Sequence, residues 1–331
     1  MTPDQISEAN AIQAKWQEAA DAGMVKAQCG LGVLLTKRGN LEAAIEAYNA
    51  ALRLNPDYSL AHCNLGLLLQ RRGDAHGAEA CFDQALQLDA SNVDAQSNLG
   101  ALKHERGDLE GATAAYRAAL SHDPNHAKAH HNLAMLLKAQ GDAAGCDRHL
   151  KKALKADPDY ADAHCGVAQQ LHAKGDTKGC VASCHKALTA DPSHAASHGL
   201  LGLLCQARGD GDEAVASFQR AVEADPSHAG FQSHLGLALH LRGDLVGAEA
   251  HYTAALAADP TLGNVHSNLG GCLRARGDVK GAVASYRRAL ALEPTHAKVR
   301  LEVVDLVKYR AFCSERLRND YHDFLFICAP A

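Results

Sequence analysis

Apolar residues recur along this chain at helical spacing, and the recurrence breaks at fixed intervals on a glycine followed by an acidic or amide residue. In residues 59–92, Leu65, Leu68 and Leu69 fall on one helical face, and Gly73 ends that run. Ala78, Phe82, Ala85 and Leu86 then line one face of a second run. Gly73 suits a helix C-terminus because glycine enters the left-handed C′ conformation without a Cβ penalty. Asp74 suits the next N-cap because its carboxylate accepts from free backbone N–H groups. Pairs such as Asp123-Pro124 close the second run, since proline disfavours the α conformation just before it. The pattern predicts a helix, a tight turn and an antiparallel helix.

That unit repeats. Gly39, Gly73, Gly107, Gly141, Gly175, Gly209, Gly243 and Gly277 are each 34 residues apart. The next residue is Asn40 in the first unit and aspartate in the other seven, from Asp74 to Asp278. Pro56, Pro124, Pro158, Pro192, Pro226, Pro260 and Pro294 keep the same step, with Ala90 the one interruption. A register held over residues 25–296 marks a repeat array rather than two or three globular domains.

The combination of Leu-Gly, Gly-Asp, a small-plus-aromatic pair and a later alanine resembles the tetratricopeptide repeat. Leu65-Gly66 and Leu99-Gly100 exemplify the first element, Ala78/Phe82 and Ala112/Tyr116 the third. The later alanine is present in all eight units, from Ala51 to Ala289. The resemblance implies an all-α fold, a right-handed superhelical α-solenoid of antiparallel helix hairpins, with eight repeats over 25–296. Residues 11–32 resemble the Sel1-like variant, with Trp16 in its frame, so residues 1–24 are expected to cap the first repeat. Residues 297–309 continue the first-helix pattern and are expected to cap the last. The aromatic tail within 310–331 (Phe312, Tyr321, Phe324, Phe326) is expected to fold back over the final repeat. The alternative is an exposed docking patch through which the chain forms a homo-oligomer.

Departures from the pattern concentrate in repeats four and five. Leu150 and Cys184 replace the second-helix aromatic, Ala134 and Ala168 the first-helix glycine, and Cys146 and Cys180 the small alanine. These changes predict a soft centre over 127–194. Six repeats also carry glycine early in the second helix, from Gly77 to Gly281, each costing up to about 1 kcal/mol against alanine in a helix interior. The aromatic usual at the fourth position of a repeat is mostly histidine or glutamine.

Composition narrows the function. Aromatics are 5% of the chain, so the core is built of small side chains. The net charge of −5 announces neither nucleic acid nor an anionic membrane. No apolar run is long enough for a membrane span and no secretory leader is evident, which predicts a soluble, cytoplasmic protein with no membrane insertion. The eleven cysteines lack a tight framework and read as reduced, mostly buried thiols. No Cys-x2-Cys pair, phosphate-binding glycine loop or nucleophile elbow appears. The twenty histidines recur at the repeat step, at His126, His194 and His228 and at His62, His130, His164, His198 and His266, which favours a packing or capping habit over metal binding. The chain is thus read as no enzyme, with no cofactor.

In the family, the first helix of each hairpin lines the concave face, and the resemblance implies that positions 2, 5, 6, 9, 12 and 13 point inward. Position 6 supplies Asn64, Asn98, Asn132 and Asn268, whose amides offer donors and an acceptor to the backbone of an extended peptide. Position 9 adds an apolar stripe that includes Leu67, Met135, Leu203 and Leu237, and position 12 adds Lys138, His240 and Arg274. The expected function is a scaffold or adaptor that holds an extended protein segment in this groove. The alternative is the substrate-recruiting region of a peptide O-glycosyltransferase, since its repeats carry a similar asparagine ladder. An Hsp70/Hsp90 carboxylate clamp is disfavoured. Asn98 is followed by Lys128 but then Asn132, and Asn268 by Lys298 but then Glu302, so the second cation is missing in both.

Overall fold

The computed structural model describes residues 14–17, 19–20, 23–294 and 302. From residue 25 onward the described chain runs as sixteen helices with no strand. They are α1 (Val25–Lys37), α2 (Leu41–Leu54), α3 (Ser59–Arg71), α4 (Ala75–Leu88), α5 (Val93–Glu105), α6 (Leu109–His122), α7 (Ala127–Ala139) and α8 (Ala143–Ala156). Then come α9 (Ala161–Ala173), α10 (Thr177–Ala190), α11 (Ala195–Arg208), α12 (Gly211–Ala224), α13 (Ala229–Leu241), α14 (Leu245–Ala258), α15 (Gly263–Ala275) and α16 (Val279–Leu292).

The chain divides into two compact units, residues 1–170 and 171–331. In the first, α1/α2, α3/α4, α5/α6 and α7/α8 form successive hairpins, each packed on the next. In the second, α10 packs on α11, and α11/α12, α13/α14 and α15/α16 are the hairpins. The all-α solenoid of hairpins expected from the sequence is therefore the architecture of each unit. Of the expected caps, residues 14–17 and 19–20 are helical, and Trp16 lies where a Cβ on Gly30 would come within 2.8 Å of its ring. Residues 1–13, the C-terminal capping helix other than Glu302, and the aromatic tail lie outside the described residues.

The turn glycines adopt the predicted conformation, with φ between +76° and +86° at all eight positions from Gly39 to Gly277. Gly73 N–H donates to Gln70 O and Asp74 N–H reaches back to Leu69 O at 2.9 Å, which satisfies carbonyls at the helix end.

The early second-helix glycines are not idle cost. Gly77, Gly111, Gly145, Gly179, Gly247 and Gly281 each donate their N–H to the capping aspartate three residues before, at 2.8–2.9 Å. A Cβ on any of them would lie within 2.6 Å of that carboxylate. The two exceptions show the effect of a side chain there. Ala43 N–H donates to Asn40 Oδ1 at a longer 3.3 Å, while α12, with Glu213 at this position, has no side-chain cap and Asp210 pairs with Arg208 instead. Asp108→Ala should therefore lower the local stability of α6 by about 1 kcal/mol and speed amide exchange at Gly111, whereas Asp210→Ala should leave α12 nearly unchanged. Equal losses measured at the two helices by hydrogen exchange would contradict this.

Six of the hairpins close on a glycine-to-aromatic contact. A Cβ at Gly32, Gly66, Gly100, Gly202, Gly236 or Gly270 would stand 2.6–2.9 Å from the ring of Tyr48, Phe82, Tyr116, Phe218, Tyr252 or Tyr286, respectively. Those rings are at most 3% exposed. In α7/α8 both partners change together: Ala134 and Leu150 are 0% and 1% exposed and share one cluster with Cys146, Ala153 and Ala163. A methyl and a shorter apolar side chain thus replace the glycine and the ring within one buried cluster. Ala168, Cys180 and Cys184 are also fully buried.

Histidine and glutamine at the fourth position tie each first helix to the turn before it. His62, His130, His164, His198 and His266 donate Nε2–H to the carbonyl of the proline six residues earlier, at 2.8–3.2 Å. Gln96 and Gln232 make the same bond through Nε2, to Ala90 O and Pro226 O, and Gln28 reaches Ala20 O. His126, His194 and His228 are N-caps, their Nδ1 atoms accepting backbone N–H groups at 3.2 Å. This division of labour accounts for the 34-residue recurrence of histidine. Among the described residues no group of three or more metal-type ligands gathers.

Candidate functional site

The first-helix face behaves differently in the two units. In residues 1–170 its asparagines are largely committed to neighbouring repeats. Asn64 Nδ2 lies 3.9 Å from Cys29 Sγ, and Asn98 Nδ2 lies 3.7 Å from Cys63 Sγ. Asn98 is 4% exposed, and its Oδ1 also accepts from Lys128 Nζ at 2.7 Å. Two residues of the nearest approach to a carboxylate clamp are thus bonded to each other. Asn132 is half-buried, with its Oδ1 3.3 Å from His131 Nδ1. Leu67 and Met135, expected as ligand contacts, are half-buried and pack against the core, Met135 Cε filling the space beside Gly166. Lys138 is exposed and donates to Gln169 Oε1 at 2.6 Å. Asn64 and Asn98 thus reach the preceding repeat, Asn98 also bonds the following one, and the contact of Asn132 lies within its own helix.

In residues 171–331 four of the sequence-derived residues, Leu237, His240, Asn268 and Arg274, converge. They line one cavity of about 290 Å³ between α13, α15 and α16, together with Leu241 and Tyr286. Glu302 stands at its edge and pairs with Arg274, both groups partly open to solvent. Gly271 forms the floor: a Cβ there would lie 3.6 Å from the Tyr286 hydroxyl. The other repeats carry side chains at this ninth position, Leu203 and Leu237 among them, so the glycine opens the space. Asn268 makes no hydrogen bond through its side chain within the described residues, leaving donors and an acceptor for a ligand. Leu241 is 70% exposed at the rim, a large apolar group left uncovered by the described residues. Burial pushes the Tyr286 hydroxyl above the usual tyrosine range, and Glu302 adds to the shift, so it remains a neutral donor. Leu203 is exposed and stands apart from this cavity.

Tyr286 and Gly271 are the members that sequence reasoning missed. Tyr286 reads as a core aromatic and is 3% exposed, yet it also lines the cavity, its hydroxyl beside Gly271. The signal for Gly271 was the interruption of the ninth-position apolar stripe by a second glycine after Leu269-Gly270. Two larger depressions, about 510 and 540 Å³, flank Arg220 between α10, α11 and α12. They contain none of the expected residues, and an Arg208–Glu213 pair occupies the rim of one.

The nine cysteines among the described residues are thiols, and eight of them are buried. Burial pushes the Cys63 thiol up to about 11, and raises Cys29, Cys81, Cys180, Cys205 and Cys272 as well. A thiol so raised stays protonated at neutral pH. No described helix is long and apolar enough to cross a membrane.

Comparison with known proteins places this architecture. A sequence profile described as TPR repeat matches residues 32–73. Profiles described as tetratricopeptide repeat match residues 63–127, 103–169, 181–229, 200–262 and 263–296. No curated protein sequence matches the chain. Among solved structures, the APC/C hetero-tetramer Cut9-Hcn1 superposes with a TM-score of 0.69 at 14% identity, over 85% of this chain and 55% of that one. The chain spans about half the length of that neighbour, and at such identity the likeness is one of fold.

Proposed function

We propose, since the chain belongs to the tetratricopeptide repeat family, that it is a non-catalytic interaction scaffold that holds an extended segment of a partner protein along its first-helix face. The observation that carries this reading is the cavity at Leu237, Asn268 and Arg274. It combines an apolar wall, an amide with no hydrogen bond among the described residues and a guanidinium whose one described carboxylate partner, Glu302, is partly exposed. A peptide running past it would bury an apolar side chain against Leu237 and Leu241, bond its backbone to Asn268, and exchange one of its own carboxylates for Glu302 on Arg274. The structural neighbour is likewise a chain from a multi-protein assembly. The glycosyltransferase-type reading rests on a run of free asparagines, and Asn98 in the middle of that run is buried and internally bonded.

Peptides selected on the purified protein from a displayed random library test the reading. The Leu237→Ala/Asn268→Ala variant should bind the selected peptides about tenfold or more weakly, with helicity unchanged. Asn64→Ala/Asn132→Ala should have a smaller effect, because Asn64 Nδ2 approaches Cys29 Sγ and Asn132 Oδ1 lies beside His131 Nδ1. Undiminished binding to the Leu237→Ala/Asn268→Ala variant would move the site elsewhere.

A further inference from the structure

The exposed side of α8 carries charge that nothing in the fold uses. Arg148, Lys151, Lys152 and Lys155 are all exposed, and at 3.6 residues per turn they fall within an arc of about 100°. That arc lies opposite Cys146, Leu150 and Ala153, which are at most 1% exposed. Arg117 of α6 occupies the repeat position equivalent to Lys151 and extends the patch onto the neighbouring hairpin. The only acid on α8 is the half-buried Asp147. Elsewhere cations sit against carboxylates, as in Arg106–Glu79, Arg242–Asp212 and Arg276–Glu249. Among the described residues none of these five cations does.

Such an arrangement works against the helix that carries it. Like charges three and four residues apart repel, and α8 holds four such pairs. The helix dipole favours Lys155 in the last turn but gives little to Arg148 near the middle. The same positions of α14 are Ala250, Thr253, Ala254 and Ala257, so the hairpin frame does not demand cations. The field they make is felt below the surface: Lys152, Arg148 and Arg117 all act to disfavour protonation of His149.

We propose that this face of α8, with Arg117, docks a short acidic segment of a partner protein. Charge complementarity selects the chemistry and the borders of the patch select the length. From Arg148 to Lys155 the helix rises about 10 Å, the reach of three or four residues of extended chain. Asp142 at the N-cap of α8 and Asp157 at its C-cap close the patch at both ends. A nucleic acid strand or an anionic bilayer would overrun those carboxylates and Asp159 on a chain of net charge −5. The patch also has no Phe, Tyr or Trp on which a base would stack. This surface is separate from the cavity at Asn268 and stands or falls independently of it.

The test uses the full chain and a labelled ten-residue peptide with four central glutamates between glycine and serine, read by fluorescence anisotropy. Lys151→Glu/Lys152→Glu should weaken binding about tenfold or more, and raising the salt from 50 to 200 mM should weaken wild-type binding severalfold. Leu237→Ala/Asn268→Ala should leave it unchanged. Because Lys151 and Lys152 are exposed, circular dichroism should confirm an intact fold in the reversal variant. Equal binding by wild type and the reversal variant, or no binding by either, would overturn the proposal. So would tighter binding of single-stranded RNA or phosphatidylserine vesicles through the same two lysines.

Discussion

Gly100→Ala is expected to destabilise the α5/α6 hairpin by about 1–3 kcal/mol, although alanine is the better helix former by up to about 1 kcal/mol. The reason is steric. The new Cβ would stand 2.7 Å from the ring of Tyr116, which is 1% exposed and has nowhere to go. Tyr116→Leu alone should cost about 2–4 kcal/mol through the cavity left by the ring. The double variant reproduces the Ala134/Leu150 pairing of α7/α8, where the two changes occur together within one buried cluster. It should therefore be at least about 1 kcal/mol more stable than the two single losses summed. Repeat arrays depart from two-state unfolding, so the comparison belongs to hydrogen exchange of α5 and α6 amides alongside the melting temperature. Strictly additive losses would show that the glycine–aromatic contact is not the packing unit of the hairpin.

Acidification is expected to weaken the first unit through His130 and His149. His130 is 4% exposed and donates Nε2–H to Pro124 O at 3.0 Å, so its Nδ1 carries the lone pair. His149 Nδ1–H donates to that atom at 3.0 Å, an arrangement that requires His130 to be neutral. Burial, followed by His130, Lys152, Arg148 and Arg117, lowers His149 from 6.5 to about 4, and burial lowers His130 as well. The unfolded chain therefore takes up protons as the pH falls below 6.5, while the folded chain resists until about 4. Stability should be fully present above that window and decline through it, by about 1–2 kcal/mol after allowing for the solvent that reaches His149. The α13/α14 hairpin holds the corresponding pair as His251 and Gln232, joined at 2.7 Å, with Gln232 also donating to Pro226 O. His130→Gln should accordingly keep both bonds at neutral pH and reduce the acid loss. Melting temperatures measured between pH 7 and 4 decide it: a wild type with no pH slope, or an unchanged slope in His130→Gln, would rule the histidine pair out as its source.

Much of this was legible in the chain because the repeat specifies itself locally. A glycine every 34 residues fixes each turn by the left-handed conformation that only glycine adopts freely, and the following aspartate caps the next helix; neither depends on distant contacts. The histidine recurrence was likewise readable as structural, although the carbonyls and N–H groups it serves were not. The tertiary structure decided how each residue's options are spent. Asparagines at one repeat position look equivalent in sequence, yet Asn98 is buried between Cys63 and Lys128 while Asn268 faces an open cavity. Lys128 of the following repeat bonds the Asn98 amide, while Gly271 and the Tyr286 hydroxyl of its own repeat stand beside Asn268. The Gly77-type residues count as a cost on helix propensity alone and become useful once the aspartate carboxylate occupies the space a Cβ would need. Periodicity dictates which elements form, because it encodes short-range sterics and hydrogen bonding. Which side chains are left over for a partner is settled only when every hairpin has packed against the next and used the groups it can reach.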